Sequence, residues 1–281
     1  MACQITPRLV LDRRRLLAAL ALPAAGRMST VRAQSRLPIG VQIGGTGVGL
    51  GPTARVLAGR ADVQVVPSLG TGGGLKAVLA GAIDIALAAR PLTDAERARG
   101  LQARDWFRTP VIWASHPVVP VSGLKLDELL ALYAGRSTRW SNGDPVRLVL
   151  RPENDSDTAL MRAIGPSATE ALRLAHARPG VLVASTDSEA VDAIGRLHGA
   201  VGITSLGMVL TETPSLKVLE IDGVRPTLQA LGAGRWTLSK AVQLVTLGAP
   251  APPVKAVMDA LLSPDAGQIL AALGCQLQAA R

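Results

Sequence analysis

Ile39-Gly40-Val41-Gln42-Ile43 is a short apolar run that passes directly into Gly44-Gly45-Thr46-Gly47-Val48-Gly49-Leu50-Gly51, with Pro52 opening a helical stretch over Thr53–Gly59. The same arrangement follows at once. Val63–Val66 reads as a second strand, Ser68-Leu69-Gly70-Thr71-Gly72-Gly73-Gly74 as a second glycine-rich loop, and Leu75–Ala80 as a second helix. Ile83–Leu87 is a third strand. Strand, glycine loop and helix in alternation specify an α/β fold. Working outward, Val111–Ser115, Val146–Leu150, Val181–Ala184, Ala200–Thr204 and Val242–Leu247 read as further strands. Helices are expected over Leu126–Tyr133 with Gly135 near its end, from Ala159, over Ser188–Leu197 behind the caps Ser185-Thr186-Asp187, and over Val254–Leu262.

Loops between strand and helix are where such a fold binds anions. The first N–H groups of a helix have no partner within it, and the helix dipole is positive there. Thr46, Thr71, Ser156 and Thr158 add hydroxyls, and Arg151 offers a guanidinium fork for a tetrahedral oxyanion. Gly49-Leu50-Gly51-Pro52-Thr53-Ala54 fits the dinucleotide pattern G-x-G-x-x-A, but no acid stands at the required distance at a strand end. The phosphate-loop pattern ending in Gly-Lys-Ser/Thr is absent. His116, His176 and His198 share no metal-ligand spacing, and Gly202–Gly207 is no nucleophile elbow. Neither a catalytic residue, a metal nor a cofactor is expected.

The 281 residues are 48% hydrophobic but only 2% aromatic, so a core of Ala, Leu and Val is expected, and base or sugar stacking is not. The formal charge of +9 invites a nucleic-acid reading. Residues 1–33, however, hold six of the 30 basic residues and one of the 21 acidic ones; without them the charge falls to +4, with no basic run. Arg13-Arg14-Arg15-Leu16-Leu17, the apolar stretch to Ala25 and the small-residue site Val31-Arg32-Ala33 read as a twin-arginine-like signal peptide. Export to the periplasm and a soluble mature chain follow as expectations. Cys3 falls in that segment, which leaves Cys275 without an internal disulfide partner.

Beyond these local readings, the sequence resembles the phosphate-binding protein family of phosphate ABC transporters, which are type 2 periplasmic binding proteins. Gly70-Thr71-Gly72-Gly73-Gly74-Leu75-Lys76 is similar to the family's G-S-S-G-G-x-K loop. Asp84–Leu92, Leu124–Ser141, Arg151–Thr158, Gly199–Ile203 and Trp236–Ser239 resemble further family stretches, in family order. The resemblance implies a two-lobed fold, each lobe a mixed sheet flanked by helices, with the ligand cleft between them. Lobe I would be 34–115 plus 205–281 and lobe II 116–204. It implies ligand contacts at Val48 and Gly49 (backbone), Thr71, Arg151, Ser156, Asp157 (backbone) and Thr158, and partners in a phosphate-like oxyanion and a membrane permease, with the binding protein a monomer; Thr46, Gly72 and Asp155 are further ligand-binding candidates. Asp155 and Asp157 stand where the family has glycine, and Ala89 where it has a ligand-facing acid or serine. Either aspartate could accept a ligand proton; equally, both could be helix N-terminal charges facing water. The alternative function is a sensory or interaction protein on the same scaffold with a degenerate anion site.

Overall fold

The structure is a computed structural model describing residues 40–67, 69–213 and 215–278; the expected signal peptide lies outside these residues. In chain order the first part comprises β1 (Val41–Gly45), α1 (Gly47–Val56), β2 (Val63–Val65), α2 (Gly70–Leu79), β3 (Ile85–Ala88), α3 (Asp94–Ala98) and β4 (Leu101–Ser115). There follow β5 (Gly123–Leu124), α4 (Leu126–Ala134), β6 (Arg147–Leu150), α5 (Ser156–Arg162), α6 (Pro166–Ala177), β7 (Leu182–Val183) and α7 (Asp187–Arg196). The last part is β8 (Ala200–Ser205), α8 (Leu206–Glu212), β9 (Lys217–Val218), β10 (Glu220–Ile221), α9 (Leu228–Gly232), β11 (Ser239–Leu247), α10 (Pro252–Leu261), α11 (Pro264–Ala272) and β12 (Gln276–Leu277).

The central sheet runs β2-β1-β3-β11-β4-β8-β6-β7 and is mixed. β1 is parallel to β2 and β3, and β6 is parallel to β7 and β8, whereas β11 and β8 lie antiparallel to β4. β4 joins the two parallel groups. Its residues Leu101–Pro110 pair with Leu247–Ser239 of β11, and Val111–Ser115 pair with Ser205–Val201 of β8. Alternation along a strand sends successive side chains to opposite faces. Ile112 and Ala114 accordingly enter one apolar cluster, with Ile43, Ile85, Trp106 and Leu244, while Val111 and Trp113 enter another, with Tyr133, Leu148, Met161 and Trp236.

The sequence reading reaches only the Val111–Ser115 end of the 15-residue β4, because Gln102, Arg104, Asp105 and Arg108 place polar side chains along its first part. The aromatic residues correct a second expectation. They are few, yet all six are buried, and Trp106, Trp113, Tyr133 and Phe107 are the largest fully buried side chains. Trp106, Trp140 and Trp236 each donate Nε1–H to a backbone carbonyl, of Leu261, Gly199 and Val111, which satisfies the polar edge of a ring that otherwise adds apolar burial. Cys275 is buried and unpaired.

The two glycine-rich stretches are more helical than their composition suggests. α1 starts at Gly47 and contains Pro52 rather than beginning at it; α2 starts at Gly70. Close packing explains the glycines. A Cβ on Gly49 would lie 2.8 Å from Leu87 Cδ1, and one on Gly74 would lie 2.9 Å from the Gly45 Cα. Both helices thus press onto the sheet where any larger residue would hold them off. α4 ends as expected, at Gly135 with φ 75°.

Candidate functional site

A cavity of about 840 Å³ opens where the carboxyl ends of β1, β3, β6 and β7 meet the start of β11. Ligands of open α/β sheets gather beyond the carboxyl ends of their parallel strands. The wall comes from separate loops: Thr46 at the start of α1; Gly70, Thr71 and Gly72 at the start of α2; Ala89 and Arg90 after β3; Arg151, Asp155 and Ser156 between β6 and α5; Asp187 at the start of α7; and Lys240 on β11. No aromatic ring lines it.

Of the residues singled out in the sequence, Thr46, Thr71, Gly72, Arg151, Asp155 and Ser156 are brought together on this wall. Val48, Gly49, Asp157 and Thr158 are not on it; all four are buried behind it. Thr158 donates its hydroxyl to the Arg151 carbonyl at 3.3 Å. Thr71 is turned to the protein as well, accepting the Ala89 N–H at 2.9 Å. α2 has no side-chain cap, so its first amides meet the cavity with the positive end of a ten-residue helix dipole.

Arg151 is 3% exposed. Its Nη1 donates to the Ala184 carbonyl at 2.7 Å and its Nη2 to Asp155 Oδ2 at 3.0 Å, while its enclosed Nε has no hydrogen-bond partner among the described residues. Asp155 is the N-cap of α5, its Oδ1 accepting the Asp157 N–H at 2.9 Å. Asp155 thus stands at the helix terminus, but neither aspartate faces water: the Asp155 carboxylate is spent on Arg151 and the cap, and Asp157 is buried against Lys240.

Two further wall residues carry much of the electrostatics and were not singled out as site residues. Lys240 is buried, with Nζ 2.6 Å from Asp157 Oδ1 and 3.3 Å from Asp187 Oδ1. Asp187 accepts the Thr46 hydroxyl on Oδ2 at 2.9 Å and lies 3.7 Å from Arg151 Nη2 through Oδ1. Burial alone would raise the Asp187 carboxyl; Lys240, Arg151 and Thr46 together outweigh it and bring it down to about 2. Asp157 moves the other way. Burial raises it, the pull of Lys240 is insufficient, and Asp187 and Asp155 push it further up. Burial also works against the Lys240 ammonium, but Asp157 and Asp187 hold it above the ordinary lysine range. Sequence reading sees Asp187 as a helix cap and Lys240 as the residue after the Trp236–Ser239 motif. The one available signal was a lysine standing just ahead of the strand read at Val242–Leu247.

The third basic residue on the wall, Arg90, makes a two-pronged contact with Glu96, 2.8 Å on each prong. That hydrogen bonding holds the Glu96 carboxyl down at about 2 against the opposing effect of burial. Elsewhere His116 and His198 approach to a 5.7 Å ring separation. Among the described residues no group of three or more His, Cys, Asp or Glu is arranged to hold a metal, and no helix is long and apolar enough to cross a membrane.

Comparison with known proteins places the fold. The PBP superfamily domain model matches residues 54–265. A Clostridium perfringens protein, described as a phosphate ABC transporter substrate-binding protein and solved with bound phosphate, superposes with a TM-score of 0.70 at 20% identity, covering 85% of this chain and 100% of that one. A phosphate-binding protein from Stenotrophomonas maltophilia gives 0.65 at 14% identity over 85% and 91% of the two chains. An ABC-type phosphate transport receptor from Vibrio cholerae gives 0.54 at 17% over 85% and 99%. At these identities the likeness establishes the fold. No match is found among curated proteins.

Proposed function

The chain belongs to the PBP superfamily, and from that premise we propose that it is an exported solute-binding protein that captures phosphate or a similar small oxyanion for an ABC transporter. The observation that carries this reading is the convergence on one cavity of the uncapped start of α2, Ser156 and the buried Arg151. Oriented amides and a guanidinium can replace the hydration shell of an anion in a site shielded from bulk water. The proteins that share the fold are described as phosphate-binding, which supports the same ligand class.

In this reading the protein binds and releases without turnover. Lobe I is 34–115 plus 205–281 and lobe II is 116–204, with β4 and β8 crossing between them. Closure around the anion forms the surface that docks on a permease, and the signal in residues 1–33 takes a monomeric protein to the periplasm. A second reading is favoured by one observation: each basic side chain on the wall already has a carboxylate partner. It is a sensory or interaction protein whose anion site is degenerate.

A thermal-shift screen of the protein beginning at Gln34, against phosphate, sulfate, molybdate and phosphonates, tests the proposal. A site-specific ligand raises the midpoint in proportion to the logarithm of its concentration. A midpoint that no oxyanion moves rejects oxyanion capture in favour of the second reading.

A further inference from the structure

We infer that the ligand of this cavity carries a short aliphatic group on its oxyanion, as an alkylphosphonate or an alkyl phosphate monoester does. The inference rests on the oxyanion reading above and deepens it by naming the ligand class.

The cavity is large for a bare tetrahedral ion. Its volume of about 840 Å³ lies in the range that takes whole organic ligands, about 300–1,000 Å³. That volume is not a gap between parts held apart. Thr46, just ahead of α1, donates to Asp187 of α7 at 2.9 Å, and Lys240 of β11 lies 2.6 Å from Asp157 of α5. All four residues are buried. The two sides of the cavity therefore already meet at its inner end, and the space beyond that contact remains.

The outer end has a different lining. Ser156, Ala159 and Leu160 stand at i, i+3 and i+4 on α5 and share one face of it. One helical turn, about 5.4 Å, thus leads from the Ser156 hydroxyl to an apolar surface. Pro152 adds to this side, while Pro91 and Ala241 line the other. Pro91, Ala159 and Ala241 are exposed, which puts them at the mouth. Charged wall residues offer that space little, because they are engaged within the protein: Arg90 with Glu96, Arg151 with Asp155, and Asp105 with the Gln243 amide at 2.8 Å. An oxyanion seated at the start of α2 and Ser156 leaves the apolar surface in water, whereas an alkyl group attached to it covers that surface. No aromatic ring lines the cavity, so the group that fits is aliphatic rather than a stacked ring.

The test is calorimetric titration of phosphate and of methyl-, propyl- and butylphosphonate at pH 8 into the protein beginning at Gln34. Along the phosphonate series the anionic head stays the same and only the chain lengthens. Two variants locate the effect, Leu160→Ser and Ala159→Asn; the second changes an exposed side chain and serves if the first does not fold.

Affinity is expected to rise by about two- to fourfold with each methylene in the native chain. In either variant this increment should shrink while phosphate affinity is unchanged, a pattern that general loosening of the fold would not give. If phosphate binds but a longer chain brings no gain, or if the increment survives in both variants, the inference is overturned and the oxyanion reading stands. Binding of the longer phosphonates without phosphate upholds the inference and removes the inorganic ion from the reading. No binding of any of the four ligands overturns both.

Discussion

Lys240 Nζ lies 2.6 Å from Asp157 Oδ1, with both side chains about 1% exposed, so a full ion pair is enclosed between β11 and α5. Asp157 Oδ1 has no other partner among the described residues. Breaking such a pair leaves a buried charge alone, whereas replacing both members by apolar groups removes the desolvation cost along with the attraction. Lys240→Met is expected to lower stability by about 3–5 kcal/mol. The double variant Lys240→Met/Asp157→Leu is expected to recover at least half of that. Urea unfolding of the two variants checks it; a double variant no more stable than the single one contradicts the account.

Acid stability follows from Asp187. Its folded carboxyl lies at about 2, below its ordinary value of 3.8. A depressed carboxyl contributes stability above its unfolded value and loses it as pH falls through the folded one. The stability difference between native protein and Asp187→Asn should therefore be on the order of 2 kcal/mol at neutral pH and shrink as pH falls from about 4 to about 2. Asp157 is raised, so its own contribution has the opposite sign and is lost as pH rises. Unfolding free energies measured across that acid range decide it, and a constant difference would refute it.

Glycines of one helix should respond oppositely to alanine. Gly72 has nothing within 4 Å of an added Cβ, so Gly72→Ala is expected to stabilise α2 by about 0.5–1 kcal/mol. Gly74→Ala would place a methyl 2.9 Å from the Gly45 backbone and is expected to cost about 1–3 kcal/mol. Thermal midpoints of the pair by circular dichroism show whether their signs differ. Two stabilised variants would mean that α2 does not rest on β1 as closely as described.

These contrasts mark how much was legible in the sequence. Alternating strands and glycine loops from Val41 to Ala88 disclosed the α/β class because local pattern and global fold agree there. Arg151 and Thr71 could be expected on the cavity wall because they sit in loops whose position such a fold dictates. Lys240 could not. Its burial depends on Asp157 and Asp187, 83 and 53 positions away in the sequence, and an isolated lysine beside a serine reads as surface. Asp187 was recognised for its place beside a helix cap, but its pairing with Thr46, 141 residues distant, belongs to tertiary structure. The first part of β4, before Val111, escaped notice because it answers to solvent on one face and to β11 along its edge.

The central claim is that a small oxyanion binds in the cavity between the start of α2 and Arg151. Calorimetric titration of phosphate at pH 5 into the protein beginning at Gln34, and into its Ser156→Ala and Arg151→Gln variants, tests it most directly. The account predicts one site per chain, weakened several-fold by Ser156→Ala and at least about tenfold by Arg151→Gln. Binding of equal strength in all three proteins, or no heat in any of them, would contradict it.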